Sequence, residues 1–112
     1  MKNKLHYPHE AQRDLDEIWD YIVSDLSNPT AAERTVYRIM DAIEQLADFA
    51  EMGAPLHSVA DVESDYRFLV CGNYLAFYRV DGNEIYIDRI LYGRRDYLRN
   101  LFGDTAGDET TE

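Results

Sequence analysis

The sequence of 112 residues contains one cysteine, three prolines and two lysines. The lone Cys71 excludes an internal disulfide, and with it the small disulfide-stapled scaffolds of secreted proteins. No apolar run approaches the ~20 residues that a membrane helix needs, so no membrane contact is expected. The first residues, MKNKLHYPHE, lack the hydrophobic segment of a secretory signal. Together these absences lead to the expectation of a cytoplasmic protein. No glycine-rich phosphate loop and no Ser/His/Asp grouping of recognisable spacing occurs. The histidines, His6, His9 and His57, are scattered without cysteine or carboxylate partners at ligand spacing. Neither a metal site nor a cofactor is expected.

What is present is a foldable core and an uneven distribution of charge. With 46% hydrophobic residues the chain is a folded protein, although its net charge is −11. Its length suits one domain, residues 1–102. Residues 103–112 lack large apolar side chains and are expected to form a disordered acidic tail, dispensable for folding. Residues 1–65 hold 5 basic against 14 acidic residues, whereas residues 66–102 hold 6 arginines against 4 acids. After Lys4 every basic residue is arginine, whose planar fork suits carboxylate or phosphate.

Periodicity divides the domain. Residues 2–7 are a short strand candidate ended by Pro8. Ala11, Leu15, Ile18, Trp19, Ile22 and Leu26 then recur at helical spacing, with Trp19 read as a core anchor. Asp14, Asp16, Glu17, Asp20 and Asp25 fall mostly off that face. Asn28 and Pro29 suit the cap and first position of a second helix. Its stripe runs through Ala32, Val36, Ile39, Met40, Ile43, Leu46, Ala47 and Ala50, with Gly53 as the expected stop. So short a link makes the two helices an antiparallel hairpin.

Residues 54–65 read as a loop. Strands are expected over residues 66–71, 74–80 and 84–92, separated by the turn signals GN and DGN. Alternation groups Arg67, Leu69 and Cys71; then Leu75, Phe77 and Arg79; then Ile85, Ile87, Arg89 and Leu91. RRDYLRNLF suggests a short final helix. The resulting class is α+β, two-layer: an N-terminal strand and a helical hairpin packed on a mostly antiparallel sheet, in the order β-α-α-β-β-β plus the short helix. The face away from the helices is expected to be open.

The remaining chemistry is a constellation of arginines and tyrosines: Arg67, Arg79, Arg89, Arg94, Arg95, Tyr92 and Tyr97. Such groups suit nucleic-acid phosphate and base stacking, or the acidic segment of a protein partner through bidentate pairs. The acidic helices on the same domain disfavour long-range attraction of a polyanion. Equally, strand arginines can simply balance acids inside their own domain.

The run YRFLVCGNYLAFYRVDGNEIYIDRILYGRRDY resembles the closing sheet of the RelE/ParE superfamily, toxins of type II toxin–antitoxin pairs. EAQRDLDEIWDYI and GAPL fit that superfamily's first helix and the loop after its second. The resemblance implies the same helical hairpin on an antiparallel sheet, and a cognate antitoxin as partner. It also implies one of two activities: cleavage of message in the ribosome, or inhibition of a protein target such as DNA gyrase. As a nuclease the chain would use Arg67 and Arg95 on the scissile phosphate, with Tyr92 or Tyr97 assisting proton transfer. As an inhibitor it would bind through Arg67, Arg79, Arg89, Arg94 and Arg95. Leu75, Tyr92-Gly93 and Ala54 stand where several nuclease members carry arginine, histidine and glutamate. The expectation therefore leans to target inhibition, the alternatives being the nuclease and a non-toxic binding module.

Overall fold

A computed structural model of the chain describes residues 2–58 and 65–93. Strand β1 (Lys4–His6) leads into helix α1 (His9–Asp25) and helix α2 (Pro29–Glu44), extended by a 3-10 turn at Gln45–Ala47. Strand β2 (Ala54–Pro55) and a second 3-10 turn (Leu56–Ser58) follow. Strands β3 (Arg67–Cys71), β4 (Tyr74–Asp81) and β5 (Glu84–Tyr92) complete the described chain. The sheet order is β1-β5-β4-β3-β2, with β1 parallel to β5 and the other pairs antiparallel. This is the expected α+β class, with β2 and its 3-10 turn emerging from a stretch read as loop.

Local chemistry explains the boundaries. The Pro8 carbonyl accepts the amides of Ala11 and Gln12 at 3.0 and 3.2 Å and opens α1. Ser27, at φ 51°, takes the left-handed position after α1, and the Asn28 amide returns to Ile22 O at 3.3 Å. Asn28 then caps α2, its side-chain oxygen accepting Ala31 N–H at 3.1 Å, with Pro29 at the first turn. Gly72 and Gly82, at φ 65° and 62°, supply the turns between β3 and β4 and between β4 and β5.

The main core lies between the helices and one face of the sheet. Ala11, Ile18, Ile22, Ala32, Ile39 and Ile43 pack there on Leu69, Cys71, Ala76, Tyr78, Ile85, Ile87 and Ile90. A bulge interrupts β5: Phe77 pairs with Arg89 and Tyr78 with Ile87, leaving Asp88 between them. The expected grouping of Ile85, Ile87, Arg89 and Leu91 on one face is therefore wrong. Ile90 joins the helix-facing core, and Leu91 packs with the second cluster. That second cluster corrects the expected open face. Leu56, Phe68, Leu75 and Phe77 lie on the side away from the helices and are almost fully buried. On this face Val70 and Arg79 are exposed.

Two further expectations fail for steric reasons. Trp19 is 39% exposed and no core anchor, because the buried stripe of α1 runs Ala11, Asp14, Ile18, Ile22. One step past Ile18 rotates Trp19 by about 100° around the helix. Gly53 is not the stop of α2, which ends before it. A Cβ there would stand 2.6 Å from Phe68 O and 2.7 Å from the Tyr78 hydroxyl, so the position needs glycine for close approach. The Tyr78 hydroxyl accepts Gly53 N–H and donates to Ala50 O, both at 2.9 Å.

The half-buried Tyr7 and the buried Cys71 make stability sensitive to alkali. Burial, helped by the charges of Glu44 and Cys71, pushes the Tyr7 hydroxyl from 10.0 up to about 12. Burial likewise pushes the Cys71 thiol from 9.0 up to about 11. Both groups hold their protons more tightly when folded than when unfolded. The stability they contribute is complete below about pH 9 and is lost as pH rises toward about 12. Urea unfolding across that window should show a falling midpoint, less steep in Tyr7→Phe. A midpoint independent of pH would contradict the burial of both groups.

Candidate functional site

The strand arginines are held from within. Arg67 opens β3 and points to the chain that follows α2, its Nε donating to Gly53 O at 3.0 Å and its Nη2 to Glu51 O at 3.2 Å. Arg79, near the end of β4, donates through Nε to Asp88 Oδ2 at 2.8 Å. Its guanidinium carbon lies 4.6 Å from the centre of the Tyr86 ring. His6 stacks on the other partner of this ladder, with ring centres of His6 and Tyr86 4.9 Å apart, and pairs with Glu84. Tyr66 also donates to Asp88, at 2.7 Å, and that bond, with burial second, raises its pKa. The extra residue of the β5 bulge thus becomes the shared acceptor of this outer surface.

Arg89 has a different role. Its Nε and Nη2 donate to the two oxygens of Asp14 at 2.8 and 3.0 Å, and Ile90 N–H donates to the same carboxylate at 2.9 Å. Asp14 is only 5% exposed. The hydrogen bonds to Asp14 raise the Arg89 pKa; burial opposes this, and the charges of Asp14, Glu10 and Glu17 reinforce it. An acid in the buried stripe of α1 is the functional-looking residue that periodicity missed. The available signal was its place, three residues after Ala11 and four before Ile18.

Beside this clamp, under the α1–α2 turn, lies a groove of about 730 Å³. Ile18, Ile22 and Ile90 contribute buried apolar surface, while Tyr21, Leu26 and Tyr92 stand exposed at its rim. Tyr92 meets Tyr74 edge to face, the ring centres 5.5 Å apart. Burial raises the Tyr74 pKa, with smaller contributions from Tyr92 and Tyr21.

Of the candidate residues, the structure does not bring Arg67 and Tyr92 together. Arg67 pairs with Tyr78, and Tyr92 with Tyr74, four residues away along β4. That is about 14 Å along the strand, and β3 and β5 flank β4 on opposite sides. Arg94, Arg95 and Tyr97, like the expected final helix and acidic tail, lie outside the described residues. Among the described residues no group of three or more His, Cys, Asp or Glu could hold a metal ion. No helix among them is long and apolar enough to cross a membrane.

The helical hairpin on this five-stranded, mostly antiparallel sheet is consistent with the RelE/ParE fold, and the chain is a toxin of that superfamily of type II toxin–antitoxin systems. More narrowly, the chain belongs to the family of the ParE toxin of the type II toxin–antitoxin system parDE, whose sequence model matches residues 5–97. It is similar in structure to a chain of the chromosomal ParDE toxin–antitoxin system from P. aeruginosa. The two share 30% identity at a TM-score of 0.68, over 83% of this chain and 98% of the other. Similarity to a chain of the RelBE2 toxin–antitoxin complex from Mycobacterium tuberculosis is one of fold, at 16% identity and a TM-score of 0.53. That match covers 82% of this chain and 99% of that one. No curated protein matches the sequence.

The Asp14 clamp gives a stability expectation. Asp14→Ala strands the Ile90 amide and removes both acceptors of Arg89. The cost should be about 2–3 kcal/mol, below that of a fully buried ion pair because Arg89 stays half exposed. Arg79→Ala, on an exposed side chain, should leave the unfolding midpoint nearly unchanged. Thermal or urea melts of the two variants decide this; equal losses would contradict a special role for Asp14.

Proposed function

We infer that this chain is the toxin of a type II toxin–antitoxin pair, that a cognate antitoxin neutralises it, and that it acts by binding a protein target rather than by cutting message. DNA gyrase is the first candidate target. The observation that carries the second half of this reading is the internal commitment of the strand arginines. Arg67 is held by two backbone carbonyls, Arg79 by Asp88 and Arg89 by Asp14. A nuclease needs such groups free to face the scissile phosphate and within reach of a proton-transfer group. Arg67 and Tyr92 stand too far apart to act on one phosphate. Membership of the ParE toxin family supports the same direction, and both structural relatives come from toxin–antitoxin systems.

Induction of the protein without its antitoxin separates the mechanisms. Plasmid supercoiling should fall while ribosome-bound messages keep intact ends, and co-expression of the antitoxin should restore growth. Codon-phased cuts that disappear in Arg67→Ala, with supercoiling unchanged, would establish the nuclease instead.

A further inference from the structure

Among the described residues, the groove under the α1–α2 turn has more carboxylates near it than cations. Arg89 is its one described cation, and three carboxylates gather near it: Asp14, Glu10 and Glu17. Asp14 alone satisfies the guanidinium. Glu10 and Glu17 have no ion-pair partner among the described residues and are exposed. In the groove that Glu17 lines, the rim is apolar: Tyr21 is 53% exposed, Leu26 56% and Tyr92 70%. Water solvates such carboxylates well but gains nothing from this much grouped aromatic and aliphatic surface.

We propose that this groove is a docking site for a cationic segment of the antitoxin, which places leucine or aromatic side chains over Ile22, Leu26 and Tyr92 and lysine or arginine against Glu17 and Glu10. The identity of the partner rests on the antitoxin reading above; the chemistry of the segment rests on the groove itself. This reverses the polarity expected from the arginine-rich strands, because the charges of Arg79 and Arg89 are already matched by Asp88 and Asp14. A nucleic acid does not fit the groove, since its phosphates would meet the two unmatched carboxylates. Complementary charge at the rim speeds association and excludes wrong partners, while the apolar anchors hold the complex.

The test uses the full chain with its antitoxin and with two synthetic amphipathic peptides, identical in their leucines but carrying either lysine or glutamate. Calorimetry should show saturable binding of the lysine peptide and none of the glutamate peptide. In the toxin–antitoxin complex, Glu17→Arg and Leu26→Ser should each weaken affinity by about tenfold or more. Asp41→Arg, the same charge reversal on the exposed surface of α2, should not. Every altered side chain is exposed, and circular dichroism verifies that each variant folds.

A complex that forms equally well with all variants would overturn the groove proposal while leaving the antitoxin reading intact. Failure of the wild-type chain to bind the antitoxin, with the lysine peptide still bound at a Glu17-dependent site, would overturn the antitoxin reading and the source proposed for the segment. Self-association abolished by Glu17→Arg would assign the groove to a second copy and overturn the proposal.

Discussion

One buried carboxylate joins the two layers of this protein at the point where backbone pairing ends. β1 pairs with β5 from Glu84 to Tyr86, and beyond Tyr86 that edge of β5 has no neighbouring strand among the described residues. A buried amide without an acceptor is costly, and an open edge invites wrong pairing. Asp14 of α1 meets that need by accepting Ile90 N–H, and its two oxygens also receive Arg89. This three-way contact ties α1 to β5 alongside the packing of Ala11, Ile18 and Ile22 in one core with Ile85, Ile87 and Ile90. A longer β1 would have made the carboxylate unnecessary and filled the edge with backbone.

The same contact changes the meaning of the arginines. A sequence that concentrates arginine on its strands suggests a surface for polyanions, yet each described strand arginine is matched within the fold. Arg67 steadies the chain after α2, Arg79 shares Asp88 with Tyr66, and Arg89 serves the clamp. Among the described residues, the exposed side of α1 is acidic, and the groove beside it is lined by apolar side chains. The positive charge of the sheet is thus a structural resource.

The helical hairpin and the three long strands were legible in the sequence because they rest on short-range signals. Asn28-Pro29 sets the start of α2, and Gly72 and Gly82 set the hairpin turns, each through its own backbone chemistry. The family resemblance was legible too, from the motifs of β3 to β5. What escaped depends on contacts distant in sequence. Asp14 lies in the buried stripe only because Arg89 and Ile90, some 75 residues on, supply its donors. The bulge at Asp88 shifts Leu91 to the second cluster, and alternation within β5 alone gives no sign of it. Gly53 reads as a helix stop, and only the approach of Tyr78 and Phe68 reveals its actual use. Trp19 was misplaced because size and hydrophobicity suggested burial, whereas its angle on α1 decides the matter.

The internal matching of the arginines is tested most directly by the affinity of the purified protein for single-stranded RNA, followed by fluorescence anisotropy across a salt series. With Arg79 and Arg89 paired to carboxylates, Arg67 hydrogen-bonded within the fold and α1 acidic, no saturable binding should occur at physiological ionic strength. Tight binding whose affinity falls steeply with salt, and which Arg79→Ala or Arg89→Ala weakens, would contradict that picture and return the sheet to the role of a phosphate-binding face.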